Sequence, residues 1–468
     1  MKIASGTRLV FCAASLAAQV ALAAHDHFTD AAEISTFLRD HFEGTNAGMV
    51  IGLLDGRGSR LLGAGRLDNH TSRGVDGDTI FEIGSITKTF TALLFLDMVE
   101  RGEMKLDDPV TRYLPKGVKV PGYRDKEITL LNLAAQDSGL PMNADNLAAG
   151  DWLAAYNAYT AADLYAFLSR YALTNAPGTE FRYSNVGMSL LGHVMELKAG
   201  TSFESLVVNR ICRPLGISST FITPAVESKA RLALGHDEKG RATGYYQLQV
   251  MAGAGALLST ANDLLKYLSA NLGLRPSNLH PLMDKMQVVL HAAPDEGRTA
   301  MPWFDEKVYS PPGTDLLGHA GGTGGCSTFI GFDRVQRRGV VVLSNQRIIH
   351  SSSVGWRILQ GAPLCGRDAA TLQPVREYVA IGFSFELERQ TGVARITRVY
   401  PESPAAAAGL SPGLIIDRIN GVPVAGKSMA DSMELMRGPV GTRVELVLIT
   451  PDGSRSNMVE LIKSEIRL

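Results

Sequence analysis

Residues 81–102, FEIGSITKTFTALLFLDMVERG, are the most demanding stretch of the chain: a strand-like edge meets Gly84-Ser85, and an apolar run then continues to a closing glycine. A helix this poor in polar positions has to be enclosed by other elements. Phe90, Leu93, Leu94 and Val99 supply the burying surface, and Gly102 suits the left-handed residue that ends a helix. Ser85 and Lys88, three apart, share a face if the helix opens at the serine. A hydroxyl is a weak nucleophile until a base takes its proton. A lysine buried beneath it, its pKa lowered by desolvation, can be that base. An isolated pair of this kind is equally what a capping serine and a snorkelling lysine would produce, so the rest of the chain has to decide.

A length of 468 residues exceeds the usual single domain and points to a large domain with a smaller companion. The 46 basic and 47 acidic residues leave a net charge of -1, with no basic run to track phosphates, which argues against a nucleic-acid partner. At the N-terminus, Lys2 and Arg8 precede an apolar, alanine-rich stretch from Leu9 to Ala24. That order is a secretory signal over residues 1–24, cut after Ala23 or Ala24, and it predicts a secreted, periplasmic protein. The run is shorter than the about 20 residues a membrane span needs, so no span is expected after cleavage. Three cysteines then remain, Cys212, Cys326 and Cys365. The odd count rules out a full disulfide framework and leaves a Cys212–Cys365 bridge open. Cleavage after Ala24 would set a free amine beside His25-Asp26-His27, which can chelate Cu(II) or Ni(II). Elsewhere no cluster has metal-ligand spacing, and neither a metal nor a cofactor is expected.

Residues 48–69 read as two strands joined across Asp55-Gly56. Residues 85–215 are mostly helical in pattern, 325–333 and 339–346 return to strand, and a last helix follows. Strands, helical insertion, strands, helix: this order predicts a sheet built from both ends of a domain with the helical region between. After a polar connection near 367–376, a compact block of about 90 residues begins. It holds strands at 378–386, 393–400 and 443–449, an Asn420-Gly421 turn, and a short helix opened by Ser428.

The pair in the opening stretch is not isolated. PGTEFRYSNVG places Tyr183 and Asn185 about a hundred residues on, and LGHAGGTGGCS places His319 ahead of Gly321 and Gly322 at the entry to a strand. Together with ITLLNLAAQDSGLP and AGALLSTANDLLKYL, these motifs resemble the penicillin-recognising serine hydrolases: class C β-lactamases, D-Ala-D-Ala peptidases and related esterases. The resemblance covers most of residues 30–361. It implies an α/β chain with a serine β-lactamase/transpeptidase-like fold, an antiparallel sheet flanked by helices plus a helical region. It also implies Ser85 as the acylated nucleophile, Lys88 as its activator, and Tyr183 as the group that moves protons to the leaving nitrogen and activates the deacylating water. Asn185 would bind the substrate amide, and the backbone N–H groups of Ser85 and Gly322 would form the oxyanion hole. His319 stands where these β-lactamases usually carry lysine, exchanging a permanent cation for one expected to titrate near neutral pH. Cys326 reads as a small buried residue.

VAIGFSFE and ARITRVYPESPAAAAGLSPGLIIDRINGVPV resemble a bacterial PDZ domain, with Ile381, Gly382 and Phe383 at the carboxylate-binding loop. The resemblance implies capture of a protein C-terminus by strand addition. The domain plan is therefore a signal at 1–24, a hydrolase at 25–366 and a PDZ domain at 377–462. The expected function is hydrolysis of β-lactams or D-alanyl peptide amides through an acyl-serine. Two alternatives use the same residues: a carboxylesterase, and a slowly acylated sensor of β-lactams or peptidoglycan that signals through the PDZ domain.

Overall fold

The computed structural model describes residues 28–68, 73–148, 150–293, 297–305, 314–364, 377–387, 393–400, 403–425, 441–467 and a few single positions among the rest. The expected signal, the His25-Asp26-His27 start, Cys365 and the helix expected at Ser428 lie outside the described residues.

Strand Gly48–Asp55 pairs with Gly58–Gly65 through a tight turn, and on its other edge with Arg338–Ser344, nearly three hundred residues away, Met49 facing Ser344 and Val50 facing Leu343. Outward from there the antiparallel sheet continues through Ser327–Asp333, Leu316–Gly322, Phe304–Asp305, Gly297–Ala300 and Val289–Ala293. The sheet thus draws its strands from both ends of the domain, as the order of elements required.

The central strands are buried on both faces, and the two-residue period sorts their side chains between two cores. Val50, Leu54, Ile330, Phe332, Val341 and Leu343 join the large core shared with the helical region. Met49, Ile51, Leu53, Phe329, Val340 and Val342 face helices Ala31–Phe42 and Ser351–Gln360. Helix Thr87–Glu100 lies in the large core, every residue from Thr87 to Met98 buried, Lys88 included. Gly102 ends it with φ +70°, its N–H donating to the Val99 carbonyl. Among the described residues no helix is long and apolar enough to cross a membrane.

In the C-terminal block a sheet runs Phe383–Leu387, Ala394–Val399, Ile415–Ile419, Arg443–Ile449, Ser456–Ile462 over its own core of Ile381, Ile396, Ile416, Val444 and Leu446. Phe383–Leu387 is an edge strand, paired on one side with Ala394–Val399.

Packing under helix Ser351–Gln360 yields a test. The ring of Phe329, edge-on to Trp356 at 5.0 Å, rests where Cβ atoms on Gly318, Gly331 and Gly355 would each come within 3 Å of it. An alanine inside a helix normally gains about 1 kcal/mol over glycine. At Gly355 the new methyl would sit 2.0 Å from the Phe329 ring, and overpacking of this kind costs about 1–3 kcal/mol. We predict that Gly355→Ala lowers the thermal midpoint by a few degrees; an unchanged or raised midpoint in a calorimetric scan would contradict this packing.

Candidate active site

A short 3-10 turn, Gly84–Ile86, leads into the buried helix and carries Ser85 at its centre. Gly84 has φ +51°, and a Cβ on it would lie 2.7 Å from the Gly322 nitrogen. A Cβ on Gly321 would lie 2.1 Å from the Ile83 carbonyl oxygen. Glycines on both sides are what let the serine turn and the end of strand Leu316–Gly322 touch backbone to backbone. Thr323 N–H bonds to the Cys326 carbonyl, closing the turn after the strand. The next pair, Gly322 and Ser327, is therefore the non-bonded kind, so the Gly322 N–H points away from Ser327, and its nitrogen lies beside Gly84.

Lys88 Nζ lies 2.8 Å from Ser85 Oγ and donates to the Ala254 carbonyl at 2.7 Å. It is fully buried, and burial lowers its pKa to about 7. From the other side the Tyr183 hydroxyl donates to Ser85 Oγ at 2.8 Å, with the ammonium nitrogen 4.9 Å from the centre of the tyrosine ring. Desolvation raises the Tyr183 phenol above its ordinary range, against the opposing effect of the Ser85 hydrogen bond. At neutral pH the pair is thus an amine able to shed its proton and a phenol that keeps its own. Asn185 opens helix Asn185–Ala199, and its amide donates to Asn143 Oδ1, which also accepts from the Tyr156 hydroxyl. One cavity is lined by Ser85, Asn185, Gly322, Tyr156, Tyr246 and Arg347.

His319 does not behave as the titrating cation expected of it. It is 2% exposed, and burial, with the nearby Lys88 charge, drives its pKa down to about 3. Its Nδ1–H donates to the Ala320 carbonyl at 2.7 Å, and the ring packs edge-on to Phe304. It is a neutral ring near neutral pH. The cation lining the cavity is instead Arg347, whose guanidinium donates to the Thr323 carbonyl at 2.6 Å.

Glu82 was also not anticipated. Its buried carboxylate accepts from Tyr246 N–H at 2.7 Å and the Thr323 hydroxyl at 2.9 Å, tying two walls of the cavity together, and burial raises its pKa to about 7. A charged residue inside the apolar FEIGSITK stretch was the available signal. Cys326 is buried, as expected of it, and Cys212 is buried as a free thiol. Ile381 and Gly382 lead into the edge strand of the separate C-terminal core, which Phe383 opens, and the Gly382 carbonyl accepts from Tyr400 N–H and the Ser403 hydroxyl.

The beta-lactamase family model matches residues 34–359. The chain belongs to the β-lactamase family. A PDZ domain model matches residues 395–450. This β-lactamase-family chain is 30% identical over 286 residues to the D-alanyl-D-alanine-carboxypeptidase/endopeptidase AmpH of Escherichia coli (strain K12), covering 60% of the chain and 72% of the relative. It is 25% identical over 344 residues to a beta-lactamase of Pseudomonas fluorescens, covering 66% and 91%. Its fold is that of the class C beta lactamase from Rhodobacter sphaeroides, with a TM-score of 0.59 at 24% identity over 70% of the chain and 96% of that structure. It is a serine hydrolase by family, with a PDZ domain following.

The electrostatics of this family site set a pH dependence. Lys88 holds a proton below about 7 and offers a lone pair above it. We predict that acylation of Ser85 rises with pH through about 7 and then levels. Glu82 titrates in the same window, so persistence of the limb in Glu82→Gln assigns it to Lys88. Lys88→Arg, which stays charged, should cost about 10²–10⁴-fold; acylation that is flat with pH in the wild type would contradict the assignment.

Proposed function

We propose that this protein is a secreted, periplasmic hydrolase that cleaves β-lactams or D-alanyl peptide amides through an acyl-enzyme on Ser85. The observation that carries the reading is the placement of Ser85 Oγ within 2.8 Å of both Lys88 Nζ and Tyr183 Oη, beside the Gly322 backbone. Lys88, which releases its proton as the pH rises through about 7, takes the serine proton as Oγ attacks the carbonyl carbon. The oxyanion forms between the Ser85 and Gly322 N–H groups. Tyr183, which keeps its proton, passes it to the departing nitrogen and recovers it from the water that releases the acyl group. Asn185, held by Asn143, offers its amide to the substrate's acyl side chain.

Both substrate classes carry a carboxylate near the scissile bond, and with His319 neutral the group suited to it is Arg347. An ester without a carboxylate would leave Arg347 unused, and that favours the amide reading over the esterase. Intact-mass spectrometry after incubation with benzylpenicillin, a D-Ala-D-Ala peptide and a short-chain ester, beside Ser85→Ala, tests the assignment. Turnover of one of the first two that vanishes in Ser85→Ala is expected; a stable adduct with no turnover would favour a sensor. Arg347→Met should raise KM for the carboxylate-bearing substrates by about 10–100-fold, the size of a lost charged hydrogen bond, and change the neutral ester little. Equal effects on both would remove Arg347 from this role.

For the PDZ domain we propose capture of a protein C-terminus along the open edge of Phe383–Leu387. The nucleophile and its partners all lie before residue 366, so the domain's work would be recruitment. Truncation near residue 370 should preserve acylation of Ser85 by small reagents and abolish binding of C-terminal peptides. Loss of acylation in a folded truncated chain would make the domain structural instead.

A further inference from the structure

Tyr183 sits on a segment with no ladder of its own. Residues 172–184, between helices Ala161–Arg170 and Asn185–Ala199, form turns and irregular chain. Something else must hold the phenol within hydrogen-bonding distance of Ser85.

The segment lies along residues 136–142. Gly178 N–H bonds to the Asp137 carbonyl at 2.8 Å, the Ser184 hydroxyl to the Pro141 carbonyl at 2.7 Å, and Asn185 N–H to the Met142 carbonyl at 2.9 Å. Within this rail one residue brackets Tyr183. Arg182 N–H donates to the Gln136 backbone carbonyl at 2.7 Å, and Ser184 N–H donates to Gln136 Oε1 at 2.5 Å. Because the backbone N–H can only donate, it fixes which end of the glutamine amide faces it.

Gln136 does this from a conformation that glutamine avoids. It is 2% exposed and has φ +62°, in the left-handed region, just past helix Leu130–Ala134. That conformation is strained for a residue with a Cβ. Such strain survives in a buried position where surrounding bonds over-determine it, and such positions gather at functional sites. Here the left-handed turn brings a carbonyl and a side-chain oxygen of one residue onto the two neighbours of the tyrosine.

We propose that Gln136 is a positioning residue that sets the Tyr183 hydroxyl against Ser85. The proposal rests on the reading that Tyr183 serves the group that leaves as Ser85 attacks. Its test therefore uses a fluorophosphonate, which needs no natural substrate: Oγ bonds to phosphorus, the serine proton passes to Lys88, and fluoride departs against a hydrogen bond from the Tyr183 hydroxyl, the group that would otherwise serve the leaving nitrogen.

Three variants separate the bonds from the strain. Gln136→Met keeps bulk and loses the side-chain acceptor. Gln136→Gly releases the strain, keeps the backbone carbonyl and loses the acceptor. Gln136→Glu keeps an oxygen toward Ser184 N–H. Since displacement of a reacting group by about 1 Å can cost about 10²-fold, labelling of Ser85 should slow at least ~10-fold in the Met and Gly variants and recover to within ~3-fold in the Glu variant. In a Tyr183→Phe background the Met and Gly changes should add little, because the group they position is gone. The thermal midpoint of Gln136→Gly, freed of strain, shows that the slowed variant is folded. Wild-type labelling rates in both Met and Gly variants, or the same loss repeated in full on Tyr183→Phe, would overturn the proposal. A wild type that labels at Ser85 yet turns over none of the candidate substrates would fail the proposed function and leave the positioning role intact.

Discussion

The burial of one amine organises this molecule. Lys88 has no exposure, its nitrogen bonded to Ala254 and set against Ser85. A lysine in water carries its proton until about pH 10.4 and cannot serve as a base near neutrality. Lowering that value to about 7 requires desolvation from every side, which a surface helix cannot provide. Helix Thr87–Glu100 therefore has to run through the large core, with helices Asn185–Ala199, Ala252–Gly255 and His280–Met286 packed against it. The apolar sequence of the helix, the two-faced burial of the central strands and the long return of the chain from Asp55 to Arg338 are consequences of that enclosure.

The features legible in the sequence were those that local pattern or spacing can express. The Gly48–Gly65 hairpin, the buried helix, the return strands and the facing of Ser85 and Lys88 follow from periodicity and from three-residue spacing. Tyr183, Asn185 and the glycines at 321–322 were found because they recur as motifs, though nothing in their spacing states that a Gly84–Gly322 contact brings them to the serine. What escaped notice depends on contacts across the fold. Glu82 matters because of Tyr246 and Thr323, Gln136 because of Arg182 and Ser184, Arg347 because its guanidinium reaches the Thr323 carbonyl at the cavity. The charge of His319 is hidden from the sequence for the same reason: an imidazole titrates near neutrality only where water reaches it, and here its surroundings are Phe304, Tyr183 and a neighbouring amine.

A neutral His319 points to a division of labour between cations. A nucleophile's base must be able to lose its charge, whereas a group that binds a carboxylate must keep it. Two permanent cations buried together would each depress the other, and the Lys88 charge already counts among the causes that lower His319. A neutral ring at 319 keeps the floor of the site packed against Phe304 without adding a second charge beneath the serine. A guanidinium at 347 is half-buried and reaches the same strand end through the Thr323 carbonyl. With the roles proposed above, base and anion anchor are separated by chemistry as well as by position, and one small cavity would combine acyl transfer with recognition of a negatively charged substrate.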